Sequence, residues 1–532
     1  MKNNFNKHNF LIVLSISFNI FLSYAFKPEI QKFEDDLTQI SVNPITVSSD
    51  LQLFIDNFII SELKGGTDLR LHHPTAKEIV LENNNPWEGS GSGFYSVFQD
   101  GNLYRMYYSA WNFIIEHEGV SDTPYYLCYA ESDDGIHWRK PNLNLVEFQG
   151  SKNNNIVMAS GKLGDVYPDL GHHAVFKDNN PNVAPDAVYK AFIRDWSIES
   201  GMKGLLAFKS SDGFHWELMS DKVVITNGAF DSQNLAFWDQ VRGEYRAYWR
   251  YMEEGPIRSI RTATSKDYIH WENEKDLKYF DAPQEQLYVN VIKPYYRAPY
   301  MFIGFPIRYV ERGWSKSMEK LPNPADRLFR SLKESRFGTA ITESLLMVSR
   351  DGHNFKRWQE AFLRPGIERT GSWSYGDQYM AWSMVETKSQ MEGAPNEISF
   401  YAVEGNWGTI KKDMNVLRRY TLRLDGFVSA SAPMSGGELI TKPLIFDGDK
   451  LLLNFSTSAA GEVKVELQDI NGKPISGFTL DDCESTFGDT TERIVYWKNG
   501  ADVSKLKGKS IRIRFFMKDA DIYSFKFSNA NR

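Results

Sequence analysis

Three acidic residues stand directly before β-rich runs of the chain. Glu88 lies in Trp87-Glu88-Gly89-Ser90 ahead of residues 94–98, Asp231 in Asp231-Ser232-Gln233-Asn234 ahead of residues 235–238, and Glu285 in Gln284-Glu285-Gln286-Leu287-Tyr288. Asp169 and Asp377 occupy the same kind of place in two further segments. Breaking a glycosidic bond takes a proton donor to the leaving oxygen and a second carboxylate acting as nucleophile or as base for water. Crowded carboxylates separate their pKa values, which keeps one of them protonated. Glu88, Asp231 and Glu285, with Asp169 and Asp377 beside them, are the expected carboxylates for this work, and their positions alone leave open which is the acid and which its partner. His172, His173, Gln233, Asn234, Tyr288, Asn290 and Asp377 are the expected contacts to sugar hydroxyls. Arg250 and Arg297 lie near strand ends, where a guanidinium suits a uronic acid or sulfate through paired hydrogen bonds. This chemistry requires no cofactor and no catalytic metal. A structural calcium ion is the other use of an acid-rich cluster.

These residues are far apart in sequence, so a fold must gather them, and a repeat supplies it. Ser132-Asp133-Asp134-Gly135-Ile136-His137-Trp138 recurs as Ser210-Ser211-Asp212-Gly213-Phe214-His215-Trp216, then with changes at Ser265 to Trp271 and Ser349 to Phe355. The pattern is Ser-x-Asp-x-x-x-aromatic, and its Asp positions lie 78, 55 and 84 residues apart, one unit with loops of variable length. Each copy follows two β-rich runs, and strand, strand, Asp turn, aromatic is the reading of a propeller blade. The Asp ties up turn amides and the aromatic packs between blades, so His137, His215 and His270 are structural. A fifth unit without the box covers residues 379–385, 398–403 and 417–424. The run Leu51-Gln52-Leu53-Phe54-Ile55 is expected to complete the last blade and remove a free edge. The inner strand of every blade begins at the central funnel, where the acidic residues would converge.

The expected architecture is all-β: a five-bladed β-propeller over residues 51–430, then a C-terminal antiparallel β-sandwich over 431–532, in which Asn471-Gly472 makes a hairpin turn. Residues 1–25 read as a signal peptide, with Lys2 and Lys7, an apolar run and Ser23-Tyr24-Ala25 at the cleavage site, and residues 26–50 as a linker. The mature chain is then secreted or periplasmic, with no membrane span. Cys128 and Cys483 fall in different domains, which argues against a structural disulfide. The net charge of −7, with both signs interspersed, argues against nucleic acid as partner. Residues 318–338, rich in Lys, Arg and Pro, interrupt the fourth blade as a lid with a short helix or a surface insertion.

The repeat, with Lys140-Pro141-Asn142-Leu143-Asn144-Leu145 behind its first copy and Ala263-Thr264-Ser265-Lys266-Asp267 before His270-Trp271, resembles the five-bladed propellers of glycoside hydrolase families 32, 43 and 68. The nearest likeness is to a group of exported bacterial proteins described only as family-32-like, and it extends into Gly477 to Cys483 and Asp519 to Phe525. The resemblance implies that Asp231, in Phe230-Asp231-Ser232-Gln233-Asn234, stabilises the transition state, that Glu285 is the general acid, and that Glu88 is the nucleophile or base, with Asp56 of Ile55-Asp56-Asn57 as its rival. The Arg and Pro that flank the family's stabilising Asp, the Cys after its acid and its Trp-Met-Asn-Asp-Pro-Asn-Gly signature are all missing here, which makes fructose an unsafe guess. The resulting expectation is an exo-acting glycoside hydrolase on plant or algal polysaccharide fragments. Its alternatives are a non-catalytic glycan-binding propeller and a phosphate-dependent phosphorylase. A sialidase would need an arginine cluster with a Tyr nucleophile, which Arg194, Arg250, Arg297 and Tyr288 do not securely assemble.

Overall fold

The four Ser-x-Asp boxes fold alike because one carboxylate satisfies several turn amides at once. In the first, Asp134 Oδ1 accepts from the amides of Ile136 and His137, both at 2.8 Å, and Ser132 Oγ accepts from Gly135 at 2.9 Å. Asp212, Asp267 and Asp351 repeat this set. His137, His215 and His270 each place Nδ1 2.7 Å from the Asp of their own box. The box aromatic then packs on the preceding blade: Trp138 meets Tyr401 edge-on at 5.7 Å and Trp216 meets Tyr107 at 6.5 Å. A tyrosine of the preceding blade also donates to the Gly carbonyl of the box, from Tyr401 to Gly135, Tyr107 to Gly213 and Tyr248 to Gly352, at 2.5, 3.1 and 2.8 Å. Glycine is required there. Gly213 has φ +85°, and a Cβ would lie 2.3 Å from the Tyr107 hydroxyl.

This computed structural model describes residues 43–116, 119–122, 124–197, 199, 201–369, 376, 378–405 and 415–529. The expected leader, residues 1–25, lies outside them. The chain forms a mainly β, five-bladed propeller of antiparallel blades. Blade one runs Gly91–Asp100, Leu103–Trp111, Tyr126–Ser132 and Trp138–Arg139, and blade two Pro168–Lys177, Tyr189–Ser197, Gly201–Ser210 and Glu217–Leu218. Blade three is Leu235–Asp239, Glu244–Glu253, Ile257–Ser265 and Trp271–Asp276; blade four is Ile292–Tyr295, Ala298–Gly304, Met347–Ser349 and Asn354–Arg357. Blade five is Val385–Thr387, Glu397–Glu404 and Val416–Arg423, closed by Thr75–Glu82.

That closure corrects the expectation for Leu51 to Ile55. Leu53, Phe54 and Ile55 are all buried in succession, which an outermost strand with one wet face cannot provide. Gln52 and Leu53 pair instead with Phe525 and Ser524. Thr75–Glu82, exposed or half-buried everywhere but at Val80 and Leu81, has the pattern of an outer edge.

Beyond residue 426 the chain is antiparallel β, as expected, but not as a self-contained C-terminal unit. One eight-stranded sheet joins Val428–Ala432, Gly437–Thr441, Lys450–Gln468, Asp489–Ile494 and Arg512–Ser528 to the N-terminal strands Gln52–Leu53, Ile60–Lys64 and Asp68–Leu71. Ile45–Ser48, in the expected linker, pairs in parallel with Leu444–Phe446. Its core mixes both ends of the chain: Val47, Phe54 and Ile59 pack with Phe455, Phe515 and Phe525. Cys128 and Cys483 are both free and buried. No helix among the described residues is long and apolar enough to cross a membrane.

The insertion into blade four carries three short helices, α1 (Lys316–Lys320), α2 (Pro324–Ser331) and α3 (Ser335–Thr339), between the paired strands Ile307–Glu311 and Ala340–Ser344. Ser315 caps α1 by accepting from the Met318 amide at 3.2 Å, and Pro324 opens α2 where its missing N–H costs nothing.

Candidate active site

The starts of the inner strands surround a cavity of about 290 Å3. Phe94 and His172 come from the first halves of the inner strands of blades one and two, Asp231 and Tyr288 from the approach to those of blades three and four, and Tyr379 from blade five. Trp111 and Arg194 come from the ends of second strands, and Arg258 from the start of a third. Tyr309 of the strand Ile307–Glu311, with Lys333, Arg336 and Phe337 of the helical insertion, completes one wall. Buried Trp382 ties inner strands together: its indole donates to the Ile292 carbonyl at 2.9 Å and its amide to the Tyr95 carbonyl at 2.7 Å.

Asp231 is the one carboxylate among the described lining residues, and its side chain is 52% exposed. It pairs with Arg250, which is 1% exposed and leaves buried Nε and Nη1 without hydrogen-bond partners. Arg250 also lies 4.8 Å from the centroid of the Tyr288 ring. The Tyr288 hydroxyl donates to the Asp231 carbonyl at 3.3 Å, and its ring stacks with Tyr309 at 5.9 Å. Arg258 covers the Tyr309 ring at 4.5 Å and donates to Gln286. Arg336 donates to the Tyr309 hydroxyl at 3.2 Å, so the insertion is fastened to this wall.

On the other side Asp169 receives Arg194 at 3.1 and 3.2 Å. Burial pushes the Asp169 carboxyl up, but His172 and the Arg194 charge more than offset it, and the group stays well below the ordinary carboxylate range. Burial, joined by Arg194, pushes His172 down to about 3. His172 is therefore a neutral imidazole at the cavity wall, 4.8 Å from the Phe94 ring.

The remaining expected residues are placed elsewhere. Glu88 is fully buried beneath blade one, accepting from Tyr108 at 2.6 Å, Lys140 at 2.7 Å and the Asn85 amide at 2.9 Å. It fixes a turn and is not among the residues that line the funnel cavity. Glu285 is clamped between Arg308, at 2.9 Å, and Arg357. Burial raises its carboxyl, yet the two guanidiniums outweigh burial and hold it below its usual value, the reverse of what a proton donor needs. Asp56 pairs with Arg350 at 3.2 Å, and Arg297 pairs with Asp425 at 2.9 Å, a junction between blade four and the C-terminal sheet. His173 is buried against Ser109 and the Leu170 carbonyl. Gln233 donates to the Phe94 and Tyr95 carbonyls, Asn234 to those of Phe230, Ser232 and His172, and Asn290 is buried. These amides hold the inner strands together and position Phe94 and His172. Asp377 lies outside the described residues, although Gly376 and Tyr379 line the cavity.

Of the expected set, then, Asp231, Tyr288 and His172 meet at the cavity, with Arg250 behind them. Arg258, Tyr309 and Arg336 are functional candidates that the inner-strand rule does not reach. A second geometric signal would have found the first: the turn between second and third strands returns to the same rim, here Glu253-Glu254-Gly255-Pro256 before Arg258. Among the described residues no group of three or more His, Cys, Asp and Glu side chains is placed to hold a metal ion.

No family model matches the chain. An uncharacterised protein of Mycobacterium tuberculosis is 33% identical over 78 residues, which is 14% of this chain and only 23% of that protein. Among solved structures, a glycosyl hydrolase from Bacteroides ovatus is 14% identical with a TM-score of 0.38, over 70% of this chain and 96% of its own. A family 117 glycoside hydrolase of the marine bacterium Zobellia galactanivorans is 10% identical with a TM-score of 0.38, over 67% and 90%. A structure described under the GH130 family of mannoside phosphorylases, said to contain glycoside hydrolases that target β-1,2 mannosidic linkages, is 13% identical with a TM-score of 0.38, over 70% and 96%.

Proposed function

We propose that the funnel cavity is the sugar site of an exported, exo-acting glycoside hydrolase, and that the sugar it takes carries a carboxylate or sulfate. The observation that carries this reading is the lining: Arg194, paired with Asp169, Arg336, paired with Glu334, Arg258 and Lys333 share it with Asp231, the one carboxylate among the described lining residues, on walls of Phe94, Trp111, Tyr125, Tyr288, Tyr309, Phe337 and Tyr379. Aromatic faces suit sugar rings, and guanidiniums suit planar anionic substituents through paired hydrogen bonds. Asp231, steered by Arg250, is the carboxylate that would face the reacting carbon, and Tyr288 is a proton-bearing group beside it. Fragments of acidic plant or algal polysaccharides fit this description.

A second reading, a non-catalytic binding propeller, is favoured by the fact that only one carboxylate lines the cavity among the described residues. The test incubates wild type and Asp231→Asn with neutral, uronic and sulfated oligosaccharides, with and without inorganic phosphate, and measures released sugar and binding. Release from acidic glycans by wild type alone supports hydrolysis, and release only with phosphate identifies a phosphorylase. Binding without release selects the binding propeller, while preference for neutral glycans overturns the assignment of substrate class.

A further inference from the structure

The far ends of the inner strands enclose a second cavity, of about 510 Å3, lined by Phe98, Lys177, Lys293, Ser383 and Glu386 among others. It shares no lining residue with the funnel cavity: Tyr379 lines the funnel and Ser383 the second cavity. This second cavity is independent of the sugar site.

Lys293 is its unusual member. Among the described residues no carboxylate pairs with it; its ammonium donates to Ser383 Oγ at 3.3 Å and sits 5.4 Å from the Trp382 ring. The other charged and titratable groups on the cavity wall are engaged. Lys177 pairs with Asp100, Glu386 accepts from Tyr296 at 2.8 Å and Asn396 at 2.7 Å, and the Tyr104 hydroxyl donates to the Glu386 carbonyl at 2.8 Å. The backbone is strained on both sides of the lysine. Val291 has φ +46° and Ser383 φ +84°, a region that costs a β-branched residue most, and such outliers concentrate at functional sites. Burial pushes the Lys293 amine down to about 8.

We propose that Lys293 is a nucleophilic amine that forms an imine with a small aldehyde, such as an open-chain aldose, entering this second cavity. The nitrogen lone pair attacks the carbonyl carbon, and the C=O π pair moves to oxygen, which takes a proton. Nitrogen gives up its two protons in turn, the first balancing that uptake and the second going to the hydroxyl, which leaves as water as C=N forms, so one water is released and no oxidant or reductant is needed. The Ser383 hydroxyl, in contact with the amine, relays the proton.

The full chain is incubated with glyceraldehyde and sodium cyanoborohydride, which traps imines as stable amines, and sites are read by peptide mass spectrometry from pH 6.5 to 10. Lys293 is expected to react at least tenfold faster at pH 7.5 than the exposed Lys203 and Lys473, with a rate midpoint near pH 8. Lys293→Met should abolish this labelling with an unchanged thermal transition, and Ser383→Ala should slow it several-fold. Labelling of Lys293 no faster than of Lys203 and Lys473, a midpoint above pH 10, or complete protection of Lys293 overturns the proposal. Asp231→Asn should label normally, which separates this test from that of the funnel.

Discussion

The ring of Tyr268 stacks on that of Phe192 at 4.9 Å, filling the place where three other blade contacts use a tyrosine hydroxyl and a glycine carbonyl. Tyr268 stands at the glycine position of its box, with φ +71°, and Phe192 stands where the preceding blade elsewhere supplies tyrosine. The two departures from the repeat compensate each other. Tyr268→Gly should cost about 3–5 kcal/mol through the cavity it opens. Adding Phe192→Tyr should recover part of that by restoring the hydroxyl-to-carbonyl bond, giving a coupling energy of about 1 kcal/mol in a denaturant double-mutant cycle. Simple additivity would show that the two positions are not one unit.

Stability should fall in two acid steps. Burial lowers His172 to about 3 and His173 to about 4, so between these values and pH 6.5 the unfolded chain binds protons that the folded chain does not. Each histidine then removes up to about 1.4 kcal/mol per pH unit as pH drops through that window. The box carboxylates Asp134, Asp212 and Asp267 are held well below their ordinary range, and Asp351 at about 2; in each, turn amides outweigh burial. Their contribution is complete above about pH 4 and is lost below it. Thermal melts from pH 8 to 3 should show the first step flattened in a His172→Gln/His173→Gln variant; an unchanged first step would contradict the assignment.

Glu285→Gln should act on stability rather than on turnover. It leaves Arg357, which is 1% exposed, without its carboxylate, whereas Arg308 keeps Glu343. Breaking one side of such a buried pair costs about 3 kcal/mol. Urea titration alongside activity per folded molecule separates the outcomes, since lost turnover at unchanged stability would return Glu285 to the catalytic machinery.

Asp425→Ala should be among the costliest single changes. Its carboxylate accepts from Tyr295 at 2.7 Å, Arg297 at 2.9 Å, Ser524 at 3.2 Å and Asn454 at 3.3 Å, so removal strands four donors at once. A loss of about 3 kcal/mol or more is expected from denaturant unfolding; a loss under about 1 kcal/mol would mean that water replaces the carboxylate freely.

The propeller was legible because its box is a local device: Ser132, Asp134 and Trp138 fold their own turn wherever they occur, and the strands between boxes follow. The cavity was legible only in part. Position before an inner strand says that a residue is near the rim, not which way its side chain points. Asp231 and Glu285 satisfy that rule equally, but Arg308 and Arg357 draw Glu285 away from the cavity. Glu88 is turned inward by Tyr108 and Lys140, partners 20 and 52 residues distant. Arg336 reaches the site from an insertion that belongs to no repeat. Long-range pairings of this kind leave no periodic trace, and neither does the choice between Leu51 to Ile55 and Thr75–Glu82 for closing the ring.

The strand that closes the ring, Thr75–Glu82, follows directly on Gln52–Leu53, Ile60–Lys64 and Asp68–Leu71, which belong to the sheet built by the other end of the chain. A recombination break near residue 430 would therefore carry away the partners of those strands and leave Phe54, Ile59 and Ile60 facing water. The C-terminal sheet is not a cassette that can be gained or dropped by joining gene segments end to end. A circular permutant opened between residues 71 and 75, or between 423 and 428, would instead make ring and sheet each one continuous stretch of chain.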